Sequence, residues 1–436
     1  MKKGQELYKK AKTIIPGGNM FLSKRPEMHL PDLWPSYFSK AQGCAVWDLD
    51  NKKYLDLGIM GIGTNTLGYG NKEVDDAVKK IINKGNLSTL NCPEEVILAE
   101  RLIEINPWAD MVRLARTGGE ANAISIRIAR AASGKDKIAI CGYHGWHDWY
   151  LSVNHNDKGD DLSQHLLKDL SISGVPKSLM NTVYPFTYNN FDELSEIVNN
   201  NEIGVIKMEV KRNFEPEDNF IKKVRELATK NNIVLIFDEC TSGFRETFGG
   251  IFKKYDVEPD IAMFGKTLGN GYAITAVVGK KNIMEAAQNS FMSSTFWSER
   301  IGPTAALKTL EIMEREKSWD RITHLGNYLR SGWKNCAQAN KVPIEIFGIP
   351  SISSYIFNHK DSKKFKTYIT QEFLKQGFLA TTSFYASTAH SEKILDQYLD
   401  VFNNILIKIK NCIDDIDTID ELLEGPVAHD GFKRLN

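Results

Sequence analysis

The chain has 436 residues, enough for one large domain, a smaller one and a substantial apolar core. Lysine plus arginine and aspartate plus glutamate balance at 55 each, which removes any general electrostatic case for nucleic acid or an anionic membrane and leaves small molecules as the expected partners. No apolar run approaches the roughly 18 residues of a membrane-spanning helix, and the six scattered cysteines include no CxxC pair, so a cytoplasmic protein without a zinc ribbon or disulfide frame is expected.

The first 35 residues open as an amphipathic helix with Leu7, Tyr8, Ala11, Ile14 and Ile15 on its apolar side. Pro16-Gly17-Gly18 stops it, and a basic, Pro-rich segment follows. Such an arm is too poor in pattern to fold alone and is expected to pack on another domain or subunit. Residues 45–57, AVWDLDNKKYLDL, alternate apolar positions around Asp50-Asn51, a hairpin signature. The glycines of the next run, GIMGIGTNTLGYG, lack the order of a dinucleotide fingerprint or a P-loop, which favours tight packing or a loop near a site. Helices are expected at about 71–85 and 93–105.

In MVRLARTGGEANAISIRIARAAS, residues 111–133, a short strand meets Thr117-Gly118-Gly119 and a helix begins near Glu120. Bare N–H groups at a Gly-Gly turn opening a helix can hold a phosphate, although an ordinary glycine turn would read the same. Residues 137–151, KIAICGYHGWHDWYL, form a strand ending in a polar aromatic cluster. His144, His147 and Asp148 lack the helical spacing of a metal site, and no metal is expected. Tyr143 is better placed, either to stack on a flat ring or as plain core. Residues 152–200 read as polar and loop-rich. IGVIKMEV, residues 203–210, is a strand bearing Glu209 near its end, and a helix follows over Asp218–Thr229.

Two apolar runs, Ile233–Phe237 and Ile261–Phe264, have the length and composition of strands buried on both faces of a parallel sheet. Asp238 closes the first and Gly265-Lys266 the second, and the helix-sized connection between them puts both charges at the carboxyl edge of one sheet, where open α/β sheets bind ligands. The two residues can pair with each other, or both can face a third party. An aldehyde cofactor with a basic ring nitrogen needs just such a lysine to form an imine and such a carboxylate to keep the ring protonated. AITAVVG then reads as an antiparallel or edge strand. In residues 293–316 a hydroxyl-rich loop precedes a helix started by Pro303, and Thr295 is placed either to meet a phosphate or to satisfy local backbone. Beyond about 318 come amphipathic helices and short strands, ending in a helix at 391–416.

This ordered set resembles the class III branch of the pyridoxal-phosphate aminotransferases, most closely the glutamate-1-semialdehyde aminomutase-like group. The matching pieces are IPGG at 15–18, WDLDNKKYLDLG at 47–58, TGGEANAISIRIARAASG at 117–134 and YHGWHD at 143–148. They continue with IFDECTSGFR at 236–245, FGKTLGNG at 264–271, STF at 294–296 and STAHSE at 387–392. The resemblance implies fold type I: a large domain with a mainly parallel, seven-stranded sheet and a smaller α+β domain. On that plan residues 1–60 are the arm and hairpin of the small domain, 61–305 the large cofactor-binding domain and 306–436 the rest of the small domain.

Carried over by position, the resemblance implies that Lys266 forms the internal aldimine with pyridoxal 5'-phosphate and that Asp238 pairs with the ring nitrogen. It further implies that Gly118 and Gly119 hold the phosphate, Tyr143 lies on one ring face and Cys240 stands on the other, where the family usually has Val. Glu209 lies at the same edge, and Thr295 reaches the phosphate of the neighbouring subunit, so a homodimer with shared sites is expected. The late segment TTSFYASTAH lacks the acid of the aminomutase pattern, and Lys24 and Arg25 sit in a different local sequence from its arginine. These departures favour transfer of an amino group from a donor to an oxo acceptor, a keto acid or keto-sugar, over the alternative of an intramolecular aminomutase. Trp146, Trp149, Trp297, Glu299, Arg300, Lys24 and Arg25 are candidates to line the pocket, or to serve packing or the subunit contact.

Overall fold

The structure, a computed structural model, describes residues 2–155 and 170–431. The chain divides into two compact units, Met1–Asn71 with Asp320–Asn436, and Lys72–Trp319. The helix Ile301–Glu316, which a boundary at 305/306 cuts, lies whole in the second unit. It packs there on helices Lys72–Ile82 and Pro93–Ile105, burying Ala305, Ala306, Leu310 and Met313.

In the first unit the opening helix, Lys3–Ile14, buries only Gly4, Tyr8 and Ala11, while Leu7 and Ile14 stay exposed. The Tyr8 hydroxyl donates to Glu27 Oε2 at 2.8 Å, so the arm is tied to the turn that follows it. Strands β1 (Phe38–Gln42), β2 (Ala45–Asp48) and β3 (Lys53–Asp56) form an antiparallel meander, with the expected hairpin reversing at Asn51 in the left-handed region. The glycine-rich run after β3 is a tight packed turn. Asp56 accepts from the Gly58 amide at 3.0 Å and from the Tyr69 hydroxyl at 2.6 Å, and residues 60–63 run with positive φ.

The second unit carries a seven-stranded sheet, built from β4 (Met111–Ala115), β5 (Lys137–Cys141), β6 (Val183–Pro185), β7 (Ile203–Met208), β8 (Val234–Glu239), β9 (Ile261–Phe264) and β10 (Thr275–Gly279) in the order β4-β10-β9-β8-β7-β5-β6. Strands β5 to β9 are parallel, and β7, β8 and β9 are buried at every residue, which is why they read as continuous apolar runs. Helix Gly118–Ser133 covers one face with Ala121, Ile124 and Ile128.

One alternative is settled and two expectations change. Strand β10 is antiparallel, as one of its two readings had it, and lies inside the sheet between β9 and β4; only residues 265–274 separate it from β9. A parallel return needs a dozen or more residues, so the chain doubles straight back. The connection from β8 to β9 holds a short 3-10 turn, Ile251–Tyr255, and no α-helix. The stretch 152–200, read as loop, contains the edge strand β6 and helix Phe191–Asn200, while its residues 156–169 lie outside the described residues.

The chain then completes the first unit with β11 (Ile344–Ile349), β12 (Ile352–Phe357), β13 (Phe378–Leu379) and β14 (Ser383–Tyr385). Strands β11, β12 and β14 make a small antiparallel sheet, and β13 joins β3 in parallel. Helices Ser362–Lys375 and Glu392–Ile413 bury Phe365, Phe373, Tyr398 and Phe402 around Trp333, whose indole N–H donates to the Tyr398 hydroxyl at 3.2 Å. This unit is α+β, as expected. Among the described residues no helix is long and apolar enough to cross a membrane.

Candidate active site

Four neighbouring parallel strands, β9, β8, β7 and β5, end side by side, and each delivers a polar group at or just past its carboxyl end. These are Lys266, Asp238, Glu209 and Tyr143. All four lie within the second unit.

Asp238 is buried. Its Oδ2 accepts from His144 Nδ1 at 2.8 Å and its Oδ1 from the Cys240 amide at 3.1 Å. Burial alone would push its carboxyl up, but the His144 hydrogen bond and the Lys207 ammonium outweigh it and hold the group far below the usual carboxylate range. A carboxylate kept ionised inside a sheet edge is a poised negative charge.

Lys266 follows Gly265 with φ of 36°, an uncommon conformation for a residue with a side chain. Its Nζ donates to Thr241 Oγ1 at 2.6 Å. Burial, followed by the positive field of Arg212, lowers its pKa to about 8, so its minor free-base fraction near neutrality is far larger than that of an ordinary lysine. This amine can therefore act as a nucleophile and as a proton carrier.

Glu209 accepts from the Tyr143 amide at 3.0 Å and pairs with Arg212 at 3.1 Å. The approach is possible only because residue 142 is glycine: φ is 112°, and a Cβ there would stand 2.8 Å from Glu209 Oε2. The Tyr143 ring meets Tyr150 edge-on at 6.0 Å. A cavity lined in part by Gly142, Tyr188, Glu209, Arg212 and Phe214 opens beside them.

At the head of helix Gly118–Ser133, Thr117 and Glu120 close a capping box: the Glu120 amide donates to Thr117 Oγ1 at 3.3 Å and the Thr117 amide to Glu120 Oε2 at 2.8 Å. Gly118 and Gly119 occupy the first two helical positions, whose N–H groups have no helix carbonyl behind them. A Cβ on Gly119 would strike the His147 ring at 2.8 Å. On Gly118 it would meet only Cys240 Sγ at 3.9 Å, so the helix end and Cys240 face one another across open space. Those residues suit a flat, phosphate-bearing ring: bare amides at one end, a buried carboxylate, a lysine amine, and room left beside Gly118.

Other candidates fall elsewhere. Thr295 is exposed at the start of a short 3-10 turn, and no described contact joins it to Gly118, Asp238 or Lys266 of its own chain. Trp149 is core, and Trp146 is exposed and stacks on His147 at 4.6 Å. Trp297 donates to Glu120 Oε1 at 3.1 Å, Glu299 caps helix Ile301–Glu316 through the amides of Ile301 and Gly302, and Arg300 pairs with Glu94 at 2.6 Å. Lys24 and Arg25 belong to the first unit, in and beside the turn Leu22–Lys24. Sequence reasoning considered His144 only as a metal ligand and missed Thr241, Arg212 and Lys207. The Thr-x-x-Glu signature of the capping box was readable and passed over. Among the described residues no group of three or more His, Cys, Asp or Glu is placed to hold a metal ion.

A mostly parallel sheet with this edge defines a pyridoxal-phosphate-dependent transferase of fold type I. The chain belongs to the class III aminotransferase family, whose profile matches residues 31–406, and it is a pyridoxal-phosphate-dependent aminotransferase. It is 33% identical to the 3-aminobutyryl-CoA aminotransferase of Cloacimonas acidaminovorans, over 94% of this chain and 98% of that protein. It is 32% identical to the glutamate-1-semialdehyde 2,1-aminomutase of Nitrosopumilus maritimus, over 93% of this chain and 99% of the relative. The pyridoxal-phosphate internal aldimine form of the FumI protein from Sphingopyxis sp. MTA144 superposes with a TM-score of 0.85 at 23% identity, covering 96% and 99% of the two chains.

Proposed function

We propose that the protein moves an amino group from an amino donor to a separate oxo acceptor, and that Lys266 and Asp238 carry the chemistry. The observation that bears the most weight is their placement at the carboxyl ends of adjacent strands, Asp238 in β8 and Lys266 just past β9, with the carboxylate held ionised and the amine's pKa lowered to about 8. When bound, pyridoxal phosphate supplies an aldehyde that takes up the amino group and a ring that spreads the electrons left by a departing α-proton. Lys266 Nζ would hold the coenzyme at its aldehyde carbon and, as a free amine, is the group that would move the proton of the donor's α-carbon. Thr241 Oγ1 orients that amine. Asp238 would keep the ring nitrogen protonated, and His144 fixes the carboxylate that would do so. Gly118 and Gly119 would hold the phosphate through their amides, Tyr143 and Cys240 would stand at the ring, and Glu209 sets Tyr143 through its amide.

The protein acts as a cytoplasmic homodimer in this reading. Phe291 and Phe296, four residues before and one after exposed Thr295, expose large apolar side chains, as a subunit contact would require, and Thr295 would then serve the phosphate of the second copy.

The acceptor is a keto acid or a keto-sugar in this reading; the relative at 33% identity is named for a different substrate, 3-aminobutyryl-CoA. The aminomutase relatives support a second reading, an intramolecular exchange. Purified protein offered single donors, then donor and acceptor pairs, while its visible absorption is followed, separates the two. Transamination needs the pair; an aminomutase turns over one compound alone. Lys266→Ala should keep coenzyme binding and lose turnover, and full activity in that variant would defeat the assignment.

A further inference from the structure

Lys207 is the next-to-last residue of β7 and has no exposed surface, in a strand otherwise made of apolar residues and glycine. Its register partners are Ile236 on β8 and Ile140 on β5. The side chain rises into the layer between the sheet and its covering helix. Nζ reaches Met263 Sδ at 2.8 Å and Ser125 Oγ at 3.2 Å, the first on β9 and the second on helix Gly118–Ser133. Met263 is itself the register partner of Asp238. To touch a residue of β9 from β7 the lysine must cross β8, a span of about 10 Å covered by the two side chains together. The amine is therefore lodged under the helix, over β8, in the neighbourhood of Asp238.

A buried ammonium has three protons to place, and here it finds one hydroxyl, one weak thioether acceptor and, among the described residues, no carboxylate at ion-pair distance. Such a group is costly to keep, and a methionine would fill the same volume without charge. The titratable groups whose fields reach it are Asp238 from β8, Cys240 just beyond it and Glu209 at the end of its own strand. Burial lowers its pKa to about 8, with Asp238 the first of the groups opposing that loss, so the amine remains mostly charged at neutral pH.

We infer that Lys207 is an electrostatic positioning residue: its buried ammonium, held by Ser125 and Met263 next to Asp238, keeps that carboxylate ionised and sets the proton affinity of the coenzyme site above it. This rests on the proposed role of Asp238.

The test compares wild-type protein with Lys207→Met and Lys207→Gln. Uptake of pyridoxal phosphate by the wild type, seen as a new visible band, checks the parent reading on its own. The pH midpoint of the bound coenzyme's colour change is then measured. Removing a nearby buried positive charge makes the site's nitrogens easier to protonate, so the midpoint should rise by about one pH unit in both variants. The coenzyme-free Lys207→Met protein should unfold at or above the wild-type temperature. A midpoint unmoved in whichever variant folds, or a large loss of stability in Lys207→Met with an unmoved midpoint, overturns the inference and leaves Lys207 a packing residue.

Discussion

Replacing Asp238 by Asn separates charge from shape. The carboxylate already accepts one bond from His144 Nδ1 and one from the Cys240 amide. It has about four lone-pair sites, so it can accept a third donor, the protonated ring nitrogen, without rearrangement. Asparagine keeps the volume but turns one oxygen into an NH2 group. That group must then face one of three donors, or face a ring nitrogen that has lost its proton, and the second arrangement is the cheaper. The variant should thus fold and bind coenzyme while favouring the unprotonated ring. Removing one partner of a buried charge pair costs about 2–5 kcal/mol, which corresponds to a loss of roughly 30- to 5,000-fold in the rate of α-proton removal. A stopped-flow half-reaction with saturating amino donor, read from coenzyme absorbance, measures that step alone. A rate within threefold of wild type, at full coenzyme occupancy, would refute the argument that Asp238 keeps the ring protonated.

Three further outcomes follow from the geometry. Gly142→Ala meets both a φ of 112° and Glu209 Oε2 at 2.8 Å, so it should destabilise the protein by about 2 kcal/mol and loosen coenzyme binding, read by urea denaturation and equilibrium dialysis. Thr117→Ala removes the capping box at the head of helix Gly118–Ser133 and should cost about 1 kcal/mol in the same denaturation assay. Lys266 attacks only as the free base, and its pKa is depressed to about 8. The rate of coenzyme capture by coenzyme-free protein should therefore level off above that pH and fall toward tenfold per unit below it, and a flat profile from about pH 6 to 9 would contradict it.

Much of the sheet and of its working edge was legible because burial on both faces leaves a plain mark: apolar runs that stop at a charge. Asp238 and Lys266 stand out for that reason. The rest was hidden where the physics is not local. Strand β6 is three residues long, too short for any period to show. The interior place of β10 depends on the length of a loop, and the exposure of Leu7 and Ile14 on what else covers the first helix. His144 is set aside as a metal ligand and given no other role, because its partner, Asp238, lies 94 residues away in sequence. Lys207 draws no notice within an apolar strand, and its surroundings appear only when β9 and the covering helix are in place.

The lysine turn is short and is clamped between β9 and β10, two strands hydrogen-bonded to each other along their length. Relocating the amine would mean unzipping that hairpin, which is sheet interior. Loops such as the one carrying Asn213 and Phe214 are pinned by no comparable ladder. Directed variation should accordingly find new acceptors by rewriting those loops, with the reacting nitrogen staying where it is.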